Sequence, residues 1–429
     1  ALTSVVPAET LGLVSNNTLL KTVIVDGKEF VKIGGIASTS VIIMTCFAPF
    51  LGWLLYRRHF RASIAALIAI VVALGSIRVG LAYPINIRPD TWMIILAVYV
   101  FFASGIPVWI VLQPRDFTNS FILFGGIIAL VVGTIGGGLK GLTLGAPAFD
   151  LASGQAALGS LWPILFITIA CGAISGFHAL VASGTTSKQI SNEAYARRIG
   201  YGGMLLEGVL AICVVTAVAA GIKFAAYRSV VFPSEGRSNP ILAFALGMGG
   251  LLHRSLGVNQ AYGTVFGILM VEGFAVTTLD TAVRLNRYLF EDLWRTSLGK
   301  PPALLRSYYF NSLLSVLLML LLAKTNAFLA IWPIFGTANQ LLAAMTLVCV
   351  TGWLMRKRKP YLVALIPAGF MVVTTMASLL KLLFQKYLPA GNLTLAIADV
   401  LLLILSVAFV GLAISLFRKG GGLWQKAST

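Results

Sequence analysis

Residues 62–82 read ASIAALIAIVVALGSIRVGLA, an apolar run interrupted by a single charged side chain, Arg78. About 20 apolar residues in a helix cross the ~30 Å hydrocarbon core of a bilayer. A helix also satisfies its backbone hydrogen bonds within its own segment, which the lack of water in that core requires. The run therefore predicts a transmembrane helix, with Arg78 extending to the interface from near its outer end.

The composition of the whole chain agrees with this reading. Of its 429 residues, 58% are hydrophobic and 11% are charged, whereas a soluble domain has about 25% charged residues. So little charge excludes a soluble enzyme and a disordered chain. The net charge of +18 comes from short basic clusters between apolar runs, so we expect no nucleic-acid partner. The lipid bilayer is the expected surrounding.

Similar apolar runs predict an all-α, polytopic transmembrane helical bundle with about eleven spans. The predicted spans are residues 35–56, 62–82, 91–113, 118–137, 161–183, 200–222, 258–283, 304–323, 326–355, 360–384 and 394–417. The stretch 240–252 is short and rich in glycine, which favours a re-entrant segment. A full crossing there would also turn the basic clusters at 284–306 and 356–359 outward.

The basic residues predict the orientation of the bundle. If Arg57, Arg58 and Arg61 are cytoplasmic, most of the 32 Lys and Arg residues fall on the cytoplasmic side, as the positive-inside rule requires. The N-terminus of the chain is then outside and the C-terminus cytoplasmic. We expect an extracytoplasmic segment at 1–34, a transmembrane transporter domain at 35–417 and a cytoplasmic tail at 418–429.

The extracytoplasmic segment has two further features. Residues 21–33 alternate between polar and apolar side chains on both sides of Asp26 and Gly27, which predicts a β-hairpin. The chain starts with Ala1 rather than Met, and its first residues do not have the pattern of a signal peptide. We therefore expect a missing N-terminal segment or a partner subunit.

Ionisable side chains within the predicted spans need a partner, water or a function, since each costs roughly 2.5–3.5 kcal/mol near mid-membrane. Glu272 lies nearest to the middle of its span, and Glu207 lies about two turns from an end. Either acid can couple transport to protons, or it can form a hydrogen bond to a neighbouring helix. Asp280 precedes Arg284 by four residues, which favours a salt bridge as much as a role in proton coupling. Asp399 lies close to an outer end and is expected to be hydrated.

A broken helix is predicted around His178. Gly172, Ser175 and Gly176 precede it, and broken transmembrane helices place free N–H groups where they can bind a carboxylate. His178 is either a packing residue or a proton relay. The polar residues that follow either extend the site or cap an ordinary helix; they are Ser183, Thr185, Thr186 and Lys188.

A second break is predicted at IWPIFGTANQLLAA, because Pro333 removes a backbone donor and Gly336 weakens the helix. Asn339 and Gln340 follow, and they serve either helix packing or substrate binding.

The sequence contains no motif typical of catalysis. GxSxG, Walker A and HExxH are absent, and the four cysteines lie in apolar runs without metal-ligand spacing. We expect neither an enzyme nor a cofactor nor a metal site.

Four strings resemble the carbon starvation protein CstA family. They are GAISGFHALVASGTTSKQ at 172–189, RRIGYGGMLLEG at 197–208, VEGFAVTTLDTAVRLNRYLFEDL at 271–293 and FGTANQLLAA at 335–344. The resemblance implies a bacterial inner-membrane uptake system for peptides or, with protons, for pyruvate. It also implies a core of two inverted repeats with broken helices. The matching positions are Gly176, His178, Ser183, Gly184, Thr185, Thr186, Lys188, Gly203, Glu207, Glu272, Thr277, Thr278, Asp280, Asn339 and Gln340.

We therefore expect a proton-coupled secondary transporter that imports a small carboxylate-bearing nutrient. The expected proton-coupling residues are Glu207, Glu272, His178 and Asp280. The expected substrate-binding residues are Gly172, Ser175, Gly176, His178, Ser183, Thr185, Thr186, Thr277, Thr278, Asn339 and Gln340. The alternative is a non-transporting membrane sensor or scaffold subunit, in which the buried acids hold helices together.

Overall fold

The computed structural model describes residues 6–7, 22–25, 28–31, 33–85, 87–233, 238–324 and 327–418. Its helices are α1 (Ile33–Gly52), α2 (Ala62–Ala82), α3 (Pro89–Ala103), α4 (Leu112–Leu139), α5 (Leu151–Leu158), α6 (Phe166–Ala170), α7 (Gly176–Gly184), α8 (Ala194–Gly221), α9 (Phe224–Val231), α10 (Pro240–Leu256), α11 (Gln260–Leu298), α12 (Tyr308–Lys324), α13 (Ala327–Arg356), α14 (Leu362–Leu382) and α15 (Leu393–Arg418). Short π-helical turns extend α1 through Trp53–Arg57, precede α6 at Leu161–Leu165 and extend α14 through Leu383–Tyr387.

The all-α polytopic prediction is confirmed. Eight predicted spans are helices long and apolar enough to cross a membrane; they are Ile33–Arg57, Ala62–Ala82, Leu112–Leu139, Ala194–Gly221, Gln260–Leu298, Ile331–Arg356, Leu362–Tyr387 and Leu393–Ser415. The predicted spans 91–113, 161–183 and 304–323 and the stretch 240–252 correspond to four shorter apolar helices. Gly105 and Pro107 follow α3 and disfavour its continuation.

Among the described residues, three short strands precede α1, namely β1 (Val6–Pro7), β2 (Thr22–Val25) and β3 (Lys28–Val31). They form one antiparallel sheet in the order β1-β3-β2, and the register pairs Val25 with Lys28. This pairing lies where the hairpin is predicted, although Asp26 and Gly27 themselves lie outside the described residues, as does the tail after Arg418. The side of the membrane on which the sheet lies stays a prediction.

The chain divides into two compact units. Unit 1 comprises residues 1–148 and 205–321, and unit 2 comprises residues 149–204 and 322–429. Within unit 1, α10 is buried along 243–252 and packs against α4, α9 and α11. Within unit 2, α13, α14 and α15 pack on one another.

The predicted break at Pro333 is wrong. The helix α13 runs through this proline without interruption. A proline removes a single backbone donor, and polar side chains satisfy freed groups in membrane helices. The Thr337 hydroxyl donates to the Pro333 carbonyl at 2.8 Å, the bond that a helical threonine commonly forms with the carbonyl four residues before it. The break predicted near His178 is present, because α6 ends at Ala170 and α7 begins at Gly176.

Glycine sets the distance between α8 and α10 in unit 1. A Cβ atom built on Gly221 would lie 1.8 Å from the carbonyl oxygen of Gly247. No side chain fits in this contact without moving a backbone. We expect Gly221→Ala to lower the free energy of unfolding by about 1–3 kcal/mol, as overpacking does.

Thermal unfolding in detergent measures this effect, and Gly208→Ala on the same helix is its control. A Cβ atom on Gly208 meets no atom within 4 Å, so alanine there is expected to be neutral or slightly stabilising through its higher helix propensity. Equal midpoints for the two variants would contradict the proposed close contact.

Candidate functional site

The helix break in unit 2 is closed by side chains. Ser175 precedes α7, and its hydroxyl accepts a hydrogen bond from the His178 amide at 3.5 Å. The Asn339 side chain of α13 accepts from the Phe177 amide at 2.8 Å and donates to the Ser175 hydroxyl at 3.2 Å. One asparagine therefore joins the start of α7 to the middle of α13.

Gly176 permits this junction. A Cβ atom at that position would lie 2.5 Å from the backbone oxygen of Asn339 and equally near the Leu342 side chain. Any larger residue would push α7 away from α13 and separate Asn339 from the amide groups it satisfies.

A cavity of about 80 Å³ lies beside the break. Polar side chains on its wall include Thr168, Cys171, Thr337, Asn339, Gln340 and Ser378. Gln340 is 0% exposed, and neither atom of its amide group has a hydrogen-bond partner within the described residues. An unpaired buried amide costs about 1–3 kcal/mol, and a polar molecule bound in the cavity would remove this cost. The cavity has room for several water molecules or for the carboxylate end of a small solute.

The structure thus brings together four of the predicted substrate residues, namely Ser175, Gly176, Asn339 and Gln340. Gly172 lies in the break itself. The His178 side chain is exposed and does not line the cavity. Three others lie at the far end of α7 or just after it; they are Ser183, Thr185 and Thr186.

In unit 1 a buried ion pair joins α4 to α11. The Arg115 guanidinium, 1% exposed, donates to Asp280 Oδ2 at 2.5 Å. It also donates to the hydroxyl of Tyr99, which in turn donates to the same Asp280 oxygen at 2.9 Å. Sequence reasoning missed Arg115 and Tyr99, because Arg115 lies between two apolar runs and resembles a loop residue.

The predicted salt bridge between Asp280 and Arg284 is wrong. The Arg284 guanidinium donates instead to the carbonyl oxygens of Ala103 and Ile106, at 2.7 and 2.8 Å. These carbonyls lie at and beyond the end of α3 and lack helical partners. Arg284 therefore stabilises the C-terminal end of α3, while Asp280 pairs with Arg115 of α4.

Thr277 belongs to the same polar group. Its hydroxyl donates to Asp116 Oδ1 at 2.7 Å and accepts from Arg115 at 3.1 Å. Thr278 is exposed on another face of α11 and takes no part.

Glu272 lies on α11 two turns before Asp280. It is 3% exposed, and neither carboxyl oxygen has a hydrogen-bond partner within the described part of the chain. At the next position, the Gly273 carbonyl accepts from the Asn119 amide at 3.3 Å. Glu207 differs, since its side chain is exposed on α8; its expected burial within the bundle is not observed.

Comparisons with known proteins agree with one another. A family model described as carbon starvation protein CstA matches residues 4–235 and 223–378. The peptide transporter CstA of Escherichia coli K12 is 33% identical over 71% of this chain and 51% of its own length. The peptide transporter CstA of Bacillus subtilis 168 is 28% identical over 87% of this chain and 69% of its own length.

A further relative carries a different name. The pyruvate/proton symporter BtsT of Escherichia coli K12 is 30% identical over 78% of this chain and 58% of its own length. This chain spans about half the length of several curated relatives that it matches. No solved structure matches it.

Proposed function

The chain belongs to the carbon starvation protein CstA family, and on that premise we propose that it imports a small carboxylate-bearing nutrient together with protons. The names of its relatives support short peptides and pyruvate as the two candidate solutes. Both solutes carry a carboxylate, and both are small enough for a site enclosed within a helical bundle.

The observation that carries the proposal is the unpaired amide of Gln340 on the wall of the unit 2 cavity. Its Nε2 group supplies two donors to a solute carboxylate. The N-terminus of α7 lies beside the same cavity wall through Asn339. Its Phe177 and His178 amides already donate to Asn339 and Ser175, so the helix dipole, and not a free N–H group, adds to the attraction of an anion there. The carboxylate of a peptide or of pyruvate would thus exchange its hydration water for hydrogen-bond donors that the protein already holds in position.

The proton would be bound in unit 1 by Glu272. Within the described residues Glu272 forms no ion pair, and a buried carboxyl group without a cation beside it must be neutral or must be hydrated when it ionises. Alternating exposure to the two sides of the membrane would therefore load and release its proton. The Arg115–Asp280 pair is already neutralised internally and is better suited to holding α4 and α11 together.

The chain is a multi-pass membrane protein. We propose that it lies in the bacterial inner membrane with its N-terminus outside and its C-terminus in the cytoplasm, as the distribution of basic residues predicts. We also propose that the complete transporter includes a further N-terminal segment or a partner subunit.

Replacing Gln340 with leucine tests the solute site. We expect uptake into proteoliposomes under a pH gradient to fall at least about tenfold, equivalent to ~1.4 kcal/mol. The thermal midpoint is expected to stay or rise, because the substitution removes two unpaired polar atoms from the interior.

The matched control is Thr351→Val on the same helix. Thr351 is buried, and its hydroxyl donates to the Leu347 carbonyl at 2.8 Å, so this variant is expected to lose a little stability and no uptake. Normal uptake by Gln340→Leu would show that the cavity does not lie on the transport path. A wild-type chain that binds the solutes but never accumulates them would favour the sensor or scaffold instead.

A further inference from the structure

Asp399 is buried, contrary to its expected hydration near the end of a span. Its side chain is 0% exposed. It lies on the face of α15 that also carries Ala396 and Ser406, both buried. Spacings of three and seven residues place all three on one side of a helix, and this side packs against α13 and α14.

The carboxyl group of Asp399 has no hydrogen-bond partner within the described residues, and neither has the hydroxyl of Tyr387. Tyr387 belongs to a buried apolar cluster with Ile334, Leu382 and Ala396. Asp399 lies about one turn after Ala396 on α15, so both unpaired polar groups border this aliphatic cluster.

No cation neutralises Asp399 in the described part of unit 2. The titratable groups on the elements packed against α15 are Cys349, Arg356, Lys381, Lys386 and Tyr387. The structure records no ion pair between Asp399 and any of the three basic residues in this set. Arg356 and Lys386 are exposed.

An ionised carboxylate in such a place costs several kcal/mol. A metal ion would need several oxygen ligands, whereas Tyr387 supplies the only hydroxyl in the described part of the apolar cluster. A proton needs no additional ligand, so the neutral acid is the form that these surroundings accommodate.

The position of Asp399 also relates it to the cavity. The helices α14 and α15 are joined by the short connection 388–392 and pack side by side, so they run antiparallel. One turn before Leu382 on α14 is Ser378, which lines the cavity and lies 3.3 Å from Thr337. One turn after Ala396 on α15 is Asp399, which therefore lies at the level of Ser378.

We propose that Asp399 is a second proton-binding carboxyl, located in unit 2, that exchanges its proton with water in the cavity beside Ser378 and Gln340. On release, the O–H bond of the acid breaks, the proton passes to cavity water, and the Tyr387 hydroxyl donates a hydrogen bond to the carboxylate. The role of this site in coupling rests on the proposed transport function; the binding of a proton does not.

Infrared spectroscopy of the purified chain in detergent tests proton binding without any solute. With the aspartate side-chain carboxyl carbon isotopically labelled, a protonated-acid carbonyl band is expected to shift in the wild type at neutral pH. This band is expected to disappear in Asp399→Asn and to remain in Asp292→Asn, since Asp292 is exposed. It is also expected to shift promptly in heavy water, as exchange with the cavity requires.

Tyr387→Phe keeps the acid and removes the hydroxyl that would donate to its ionised form, so we expect the band to remain and to persist to higher pH than in the wild type. This variant serves if Asp399→Asn does not fold. The proposal is overturned if no aspartate band is seen in the wild type, if the band survives Asp399→Asn, or if it resists exchange in heavy water. Loss of the band on adding sodium at constant pH would make the site a cation site instead.

Uptake measurements then separate the two hypotheses. Asp399→Asn is expected to lose proton-driven accumulation and to keep solute counterflow; unchanged accumulation would remove Asp399 from coupling. If the wild type transports nothing while its aspartate band behaves as expected, the proposed function fails and the proton site stands.

Discussion

Replacing Arg115 with methionine is expected to lower the free energy of unfolding by about 3–5 kcal/mol, the usual cost of removing one partner from a buried ion pair. Asp280 is 0% exposed and would lose its only cationic partner within the described residues. Thr277 and Asp116 would lose the same guanidinium, which lies 3.1 and 3.2 Å from them. Methionine fills a similar volume, so the loss reports charge and hydrogen bonding rather than a cavity.

Thermal unfolding in detergent, followed by size-exclusion chromatography, measures this loss. Arg295→Met is the control, because Arg295 is exposed on α11 and substitutions there are expected to cost within about 0.5 kcal/mol. The double variant Arg115→Met with Asp280→Asn is expected to be more stable than Arg115→Met alone, since it leaves no buried charge unpaired. Equal midpoints for Arg115→Met and Arg295→Met would show that the pair does not hold α4 to α11.

Replacing Glu272 with glutamine is expected to abolish accumulation driven by a pH gradient and to leave solute counterflow intact. Glutamine has the shape of the protonated acid and cannot release a proton. A chain held in the equivalent of the protonated form would still exchange solute across the membrane, but the pH gradient would no longer drive accumulation of the solute. Counterflow in this variant is also expected to be independent of external pH.

Proteoliposomes loaded with pyruvate or a short peptide allow both measurements on one preparation. Glu291→Gln on the same helix is the matched control, because Glu291 is partly exposed and lies 3.9 Å from Arg287. It should retain gradient-driven accumulation. Accumulation that persists in Glu272→Gln would rule out Glu272 as the coupling acid and would direct attention to Asp399.

The long helices and the broken helix were accessible from sequence because their causes are local. Apolar length fixes a span, and Gly172, Ser175 and Gly176 together favour an interruption followed by a capped helix. Pro333 also predicted a helix break, and that prediction was wrong, since one missing backbone donor does not end a helix that packs against neighbouring helices.

The polar contacts were not accessible in this way, because each depends on residues far apart in the chain. Arg115 and Asp280 are 165 positions apart, and no spacing rule links them. The burial of Asp399 follows from how α15 rotates against α13 and α14. The exposure of Glu207 likewise depends on which face of α8 packs, and hydropathy alone does not show that face.

The separation between Arg115 and Asp280 has a consequence for biogenesis. A ribosome adds roughly 5–20 residues per second, so on the order of ten to thirty seconds pass between the synthesis of the two. An unpaired arginine is disfavoured in the hydrocarbon core throughout that interval. We therefore expect the start of α4 to take its final position only after α11 has been inserted.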